Sequence, residues 1–203
     1  MRTPSLGLPF IGFAAMALVA PAPILAQAAD PARATVQALD DGLIGIMKAR
    51  GAQASRAATI APVVDRAFDL PLMTRLAVGP TWTSIAPADQ QALVAAFRRM
   101  TIAQYAANFD SWSGETFTIA PNVETRGTDK LVRTTLNQPK QGPVAIAYRL
   151  RQNGASWKII DIFYRNAISQ IATRRSDFAT VLAKGGAKAL IAHLNAIAAK
   201  GGD

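Results

Sequence analysis

Apolar residues recur every three or four positions through the first half of the chain. Between Pro31 and Arg50 they fall at Val36, Leu39, Leu43, Ile46 and Met47, the spacing of an amphipathic helix. A second helical segment covers Thr59 to Arg66. Phe68-Asp69-Leu70-Pro71 then opens a third helix, with Asp69 as N-cap and Pro71 in the first turn, and Gly79-Pro80 ends it. Trp82 follows in a short linker. The longest periodic stretch starts at Pro87 and runs to Asp110, with a stripe of Leu93, Val94, Phe97, Met100, Thr101, Tyr105 and Phe109, and should form the spine of the core. Ala86 is a poor cap for it, so Ser84 or water is expected to help.

At Ser111 the period changes from 3.6 to two. Glu115–Ala120, Lys130–Leu136, Val144–Arg151 and Trp157–Tyr164 read as strands, and Gln152-Asn153-Gly154-Ala155 is a strong hairpin signal between the last two. In the third strand Val144, Ile146, Tyr148 and Leu150 share an apolar side, while Ala145, Ala147, Arg149 and Arg151 share a basic one. One face must therefore be covered. The cover would come from the preceding helices and from two more, Asn166–Ala183 and Ala187–Ala199, separated by Gly185-Gly186. Helices, strands and helices again predict an α+β domain: an antiparallel sheet of about four strands under amphipathic helices.

The N-terminus changes the picture of where the protein works. Arg2 precedes an uncharged apolar stretch from Leu6 to Leu25, broken by glycines and prolines and ending in Ala26-Gln27-Ala28, which is the layout of a signal peptide cleaved after Ala28. A membrane anchor would want about 20 apolar residues without these breakers. Residues 1–28 are thus expected to be a leader and 29–203 one exported domain. The chain has no cysteine, so its stability must come from packing rather than disulfides. Its formal net charge is +9, one unit of which leaves with Arg2. Such a surface attracts anions. The arginines are scattered without interleaved aromatics, however, so nucleic acid is not an expected partner, and pairs such as Arg98-Arg99 and Arg174-Arg175 read as solvated helix faces.

Groups for catalysis are scarce. The lone histidine, His193, lies in the last helix beside Ala192 and Leu194, with no second histidine or cysteine to make a metal site or a triad. Asp40-Asp41 and Asp65 with Asp69 read as helix-end or solvent charges. Asp161 stands apart: simple alternation puts it with Trp157, Ile159 and Phe163 on one strand face, where burial would demand a partner such as Arg149. No glycine-rich phosphate loop occurs, so no cofactor is signalled. Half of the residues are hydrophobic but only 7% are aromatic, which suits either a solid core or an aliphatic pocket.

Three stretches, FDLPLMTRLAVGPTW, APADQQALVAAFRRMTIAQYA and GASWKIIDIFYRNAISQIATRRSDFATVLAKGGAKALIAHL, together resemble the MlaC and toluene-tolerance family from about residue 60 to residue 197. IFYRNAISQIATRRSDF looks closest to its hopanoid-associated HpnM branch. The resemblance implies a periplasmic lipid carrier and no covalent chemistry. It would shuttle phospholipid or hopanoid between an inner-membrane ABC transporter complex and an outer-membrane acceptor. Acyl chains would enter an apolar pocket between sheet and helices, with the head group near solvent. The matching segments offer Leu72, Leu76, Val94, Phe97, Met100, Tyr105, Val132, Ile146, Tyr148, Ile160, Ile162, Ile168 and Ile171 as pocket walls, and Tyr148 and Tyr164 as polar contacts. Two other readings remain: an adaptor subunit with a solid core that docks on a transporter through its basic surface, and an envelope hydrolase, which the scarcity of acid–base groups disfavours.

Overall fold

A computed structural model describes residues 30–201; the expected leader, residues 1–28, lies outside them. Four helices come first: α1 (Pro31–Ala49), α2 (Gln53–Ala67), α3 (Leu70–Val78) and, after a 3₁₀ turn over Gly79–Ser84, α4 (Pro87–Asn108). Asp69 caps α3 by accepting from the Leu72 N–H at 3.0 Å, with Pro71 inside the first turn. Ser84 does not help α4: its hydroxyl donates back to the Thr81 carbonyl, and Ala86 offers no side-chain cap. The Gln90 amide instead ties the entry down by donating to the carbonyls of Trp82 and Ile85.

The second half is a meander with strand order β1-β2-β3-β4-β5, antiparallel throughout: β1 (Thr116–Arg126), β2 (Asp129–Asn137), β3 (Val144–Asn153), β4 (Ser156–Tyr164) and the two-residue β5 (Ile168–Ser169). The fold is α+β, as the sequence predicts, with a short fifth strand added where the last helix was expected to begin. The helix starts later: α5 spans Gln170–Lys200. Its helical backbone is broken at Gly185-Gly186, as the sequence predicts, giving two helical segments; Gly186 adopts φ 62°, ψ −160°, a conformation open only to glycine. A side chain on Gly185 would come within 2.6 Å of the Ala189 Cβ. The break lets Phe178 before it and Leu190 and Leu194 after it all reach the core.

That core lies between the helices and one face of the sheet. Val36, Leu39, Leu43 and Ile46 of α1, Leu93, Phe97 and Met100 of α4, and Val132, Tyr148, Leu150 and Ile159 of the sheet are all buried in it. Two bulges shape the sheet. One interrupts β1 between Ile119 and Val123, around Pro121, which cannot donate to a ladder, and the Ala120 carbonyl there accepts from Arg33. The other inserts Ile160 into β4, because Arg149 pairs with Asp161 while Leu150 pairs with Ile159.

This second bulge overturns the simple alternation. Trp157, Ile159, Ile162 and Tyr164 face the helices or the space beneath them, whereas Phe163 lies on the far side with Arg149. Asp161 lies opposite Arg149 in the ladder but makes no ion pair with it. Its carboxylate accepts from the Ser169 hydroxyl at 2.6 Å and from the N–H groups of Ile162 and Ile171, which fastens β5 and the start of α5 to β4. Arg149 turns instead to the buried Asp129, which Arg151 also grips at 2.6 Å. Among the described residues no helix is long and apolar enough to cross a membrane.

Candidate functional site

Where α4, the start of α5 and the sheet diverge, the core is not filled. A cavity of about 380 Å³ opens between them. Phe97, Thr101, Gln104, Tyr105 and Asn108 of α4, with Phe109 just past its end, form one wall. Leu136 of β2, Val144 and Ile146 of β3, and Ile162 and Tyr164 of β4 form the opposite one. Phe68 and Met73 close one side, the β2–β3 loop contributes Gln138 and Gln141, and Gln170 and Arg174 come from α5. An aromatic row runs along this space: Phe68 to Tyr105 at 5.8 Å between ring centroids, Tyr105 to Phe109 at 5.9 Å, and Phe109 to Phe117 at 6.4 Å. The wall thus has an aliphatic and aromatic sheet side and a helical side with polar groups set into it.

Arg174 is the one charged side chain in the wall, so of the pair Arg174-Arg175 only the exposed Arg175 is a solvated charge. One Nη of Arg174 donates to Gln104 Oε1 at 2.7 Å, the other lies 3.3 Å from Met100 Sδ, and the guanidinium sits over the Phe97 ring at 5.4 Å. Burial lowers its pKa, but a guanidinium stays protonated all the same. Its neighbour Arg175 points elsewhere and donates to the Leu76 carbonyl at 2.9 Å, holding α3 against α5. Arg98 pairs with Asp65, and Arg99 donates to Asn195.

Behind the α4 wall lies a second polar group. Asp40, read from sequence as a solvent charge, is buried to 1% exposure, and neither carboxyl oxygen has a hydrogen-bond partner of good geometry. Burial, reinforced by the charge of Asp41, pushes its pKa up to about 8 against a smaller opposing effect of the Tyr148 phenol. Asp40 is therefore largely protonated at neutral pH. Tyr148 and Tyr105 are themselves raised well above the ordinary phenol range, chiefly by burial.

The thirteen residues offered as pocket walls divide sharply. Phe97, Tyr105, Ile146 and Ile162 border the cavity. Met100 stands one layer back, against Arg174. Val132, Tyr148 and Ile171 are buried in the solid core, as is Ile160 at the bulge outside the main cluster. Leu72, Leu76 and Val94 are half-buried and do not border the cavity. Ile168 is 52% exposed, because β5 is the short edge strand and turns its side chain outward. Of the two tyrosines expected as polar contacts, Tyr164 reaches the cavity and Tyr148 stands beside Asp40. Pattern reading passed over Phe68, Met73, Gln104, Asn108 and Arg174 as wall residues. A usable signal was present: Thr101, Gln104 and Asn108 place polar groups at helical spacing on a face that is otherwise buried. Among the described residues no three His, Cys, Asp or Glu side chains gather to hold a metal, and His193 is exposed.

Two comparisons bear on this arrangement. The family model described as MlaC protein matches residues 37–196. Among solved structures, the chain is similar to a phospholipid-binding protein from Ralstonia solanacearum, determined in complex with a phospholipid. The two share 28% sequence identity over 86% of this chain and 100% of that one, with a TM-score of 0.71.

Proposed function

This chain belongs to the MlaC family, and from that premise we propose that it is a lipid carrier that holds acyl chains in the cavity between α4, α5 and the sheet. The observation that supports this most directly is the unfilled, mainly apolar cavity of about 380 Å³ in a fold like that of a phospholipid-bound protein. Protein interiors are ordinarily packed without such voids. A cavity of about 150 Å³ takes one benzene, so this one has room for about fifteen carbons, roughly one acyl chain. Burying a methylene contributes about 0.8 kcal/mol, so ten of them give about 8 kcal/mol before the cost of ordering the chain. A two-chain lipid would need the sheet and α4 to part, or would leave one chain against the outside of the mouth.

The cavity wall contains no carboxylate, imidazole or thiol, which favours binding over catalysis. The finer reading adds export by residues 1–28, residence in the periplasm, and transfer of phospholipid or hopanoid between an inner-membrane ABC transporter complex and an outer-membrane acceptor. The test is native mass spectrometry with organic extraction of the mature protein purified without detergent. Stoichiometric lipid supports the carrier, and its mass separates phospholipid from hopanoid. Protein that carries no lipid and takes none from vesicles would overturn the reading in favour of an adaptor.

A further inference from the structure

Arg174 is expensive where it stands. It lies in the second turn of α5, near the end where the helix dipole repels cations, and it is half-buried, with burial lowering its pKa. The groups that meet it are neutral: the Gln104 carbonyl oxygen, the Met100 sulfur and the face of Phe97. Among the described residues no carboxylate comes within 4.0 Å of it; the ion pairs of the chain involve other cations. Asp177, one turn further along α5, is exposed. Two more donors converge on the same stretch of wall. The Thr101 hydroxyl is buried with no hydrogen-bond partner, and Gln104, whose oxygen is taken by Arg174, has its NH₂ left to donate. A buried hydroxyl beside a half-buried guanidinium and amide, with too few acceptors between them, fits an oxyanion.

We propose that Arg174, with Thr101 and Gln104, is an anion subsite inside the cavity, which selects amphiphiles whose acyl chain carries a phosphate or carboxylate group. The proposal rests on the lipid-binding reading, which makes the occupant an amphiphile, and goes beyond it in giving the cavity a charge preference of its own. The head group then meets its counter-charge within the walls rather than at a basic rim, and the remaining apolar wall is left to the chain.

The test compares ligands that share their chains and differ in the anion: phosphatidic acid against diacylglycerol, and a fatty acid against its alcohol. Each is offered to the full mature protein from neutral vesicles, and bound lipid is counted by native mass spectrometry. The wild-type protein should prefer one or both acids by about tenfold to a hundredfold, the range that charge-assisted hydrogen bonds supply. The arm showing the larger preference identifies phosphate or carboxylate as the group read. In 1 M salt, where the Debye length is about 3 Å, the preference should persist, because attraction to the basic exterior is screened and an enclosed pair is not. Arg174→Gln should lose the preference of acid over uncharged partner whatever its total uptake, and Arg174→Lys should keep part of it. Circular dichroism and the thermal midpoint show whether Arg174→Gln is folded. A wild-type protein that binds all four without preference, or an Arg174→Gln variant that keeps the preference, overturns the subsite. A wild-type protein that binds none of them overturns the lipid-binding reading itself.

Discussion

Replacing Asp40 with asparagine should stabilise the protein at neutral pH and flatten its pH dependence. The folded-state pKa of Asp40, about 8, stands above the ordinary value of 3.8. Between those two values the folded state holds a proton that the unfolded state has released, so stability falls as pH rises through this window and levels off above it. Each pH unit costs about 1.4 kcal/mol, which makes the penalty at pH 7 on the order of 4 kcal/mol. The ionisable groups that bear on Asp40 are Asp41, Tyr148 and Tyr105. The two phenols are raised further from neutrality and stay neutral across the window, so the slope belongs to Asp40. Asparagine keeps the shape and the polarity and carries no charge. Urea unfolding of both proteins from pH 4 to pH 9 should give nearly equal stabilities at pH 4 and a gap that widens to a plateau near pH 8 in favour of Asp40→Asn. A gap that does not change with pH would refute the account of Asp40 as a proton held by burial.

Filling the cavity should separate binding from folding: Ile146→Trp, which adds bulk from the sheet side, should lower the lipid recovered per protein severalfold while the thermal midpoint holds or rises, as native mass spectrometry and calorimetry would show. Asp129, 2% exposed between Arg149 and Arg151, works in the opposite sense to Asp40. The hydrogen bond from Arg151, then that from Arg149, hold its pKa below 3.8 against the opposing effect of burial. It therefore contributes stability above about pH 4 that is lost on acidification. Because both arginines are partly solvated, Asp129→Asn should cost a modest 1–3 kcal/mol, or roughly 2–12 °C of thermal midpoint, at neutral pH, and much less near pH 2.

The elements were legible where a local chemical rule fixes them. Asp69 and Pro71 start α3, the turn at Asn153-Gly154 joins β3 to β4, and Gly185-Gly186 breaks the last helix, each because few residues suit those backbone positions. What failed was counting by twos across β4. The single inserted residue, Ile160, reverses the side on which every later residue falls, so Asp161 leaves the face of Ile159 and sits across from Arg149, yet its carboxylate fastens the entry to α5 while Arg149 goes to Asp129. Nothing in the run Ile159-Ile160-Asp161-Ile162 distinguishes a bulged strand from a regular one. The fifth strand escaped for a related reason: two residues, Ile168 and Ser169, are too few to show a period.

The site was less legible than the fold, and the two neighbouring arginines show why. Hydrophobic periodicity reports which side of an element faces inward but not whether the space there is filled, so the apolar residues it selects mix cavity wall, such as Ile146 and Ile162, with solid core, such as Val132 and Ile171. A cavity is betrayed by the residues that a filled core would reject. Thr101, Gln104 and Asn108 on α4 are such exceptions, and so is Arg174. In the sequence Arg174 and Arg175 are indistinguishable. On the helix they diverge by about 100°, which sends one guanidinium over Phe97 into the cavity and the other to the Leu76 carbonyl. Arg175 satisfies a backbone carbonyl at the surface and is explained by that contact. Arg174 has only neutral partners in a place where a neutral side chain would cost less, and that imbalance, more than the apolar walls, is what supports the proposal that this cavity binds an anion.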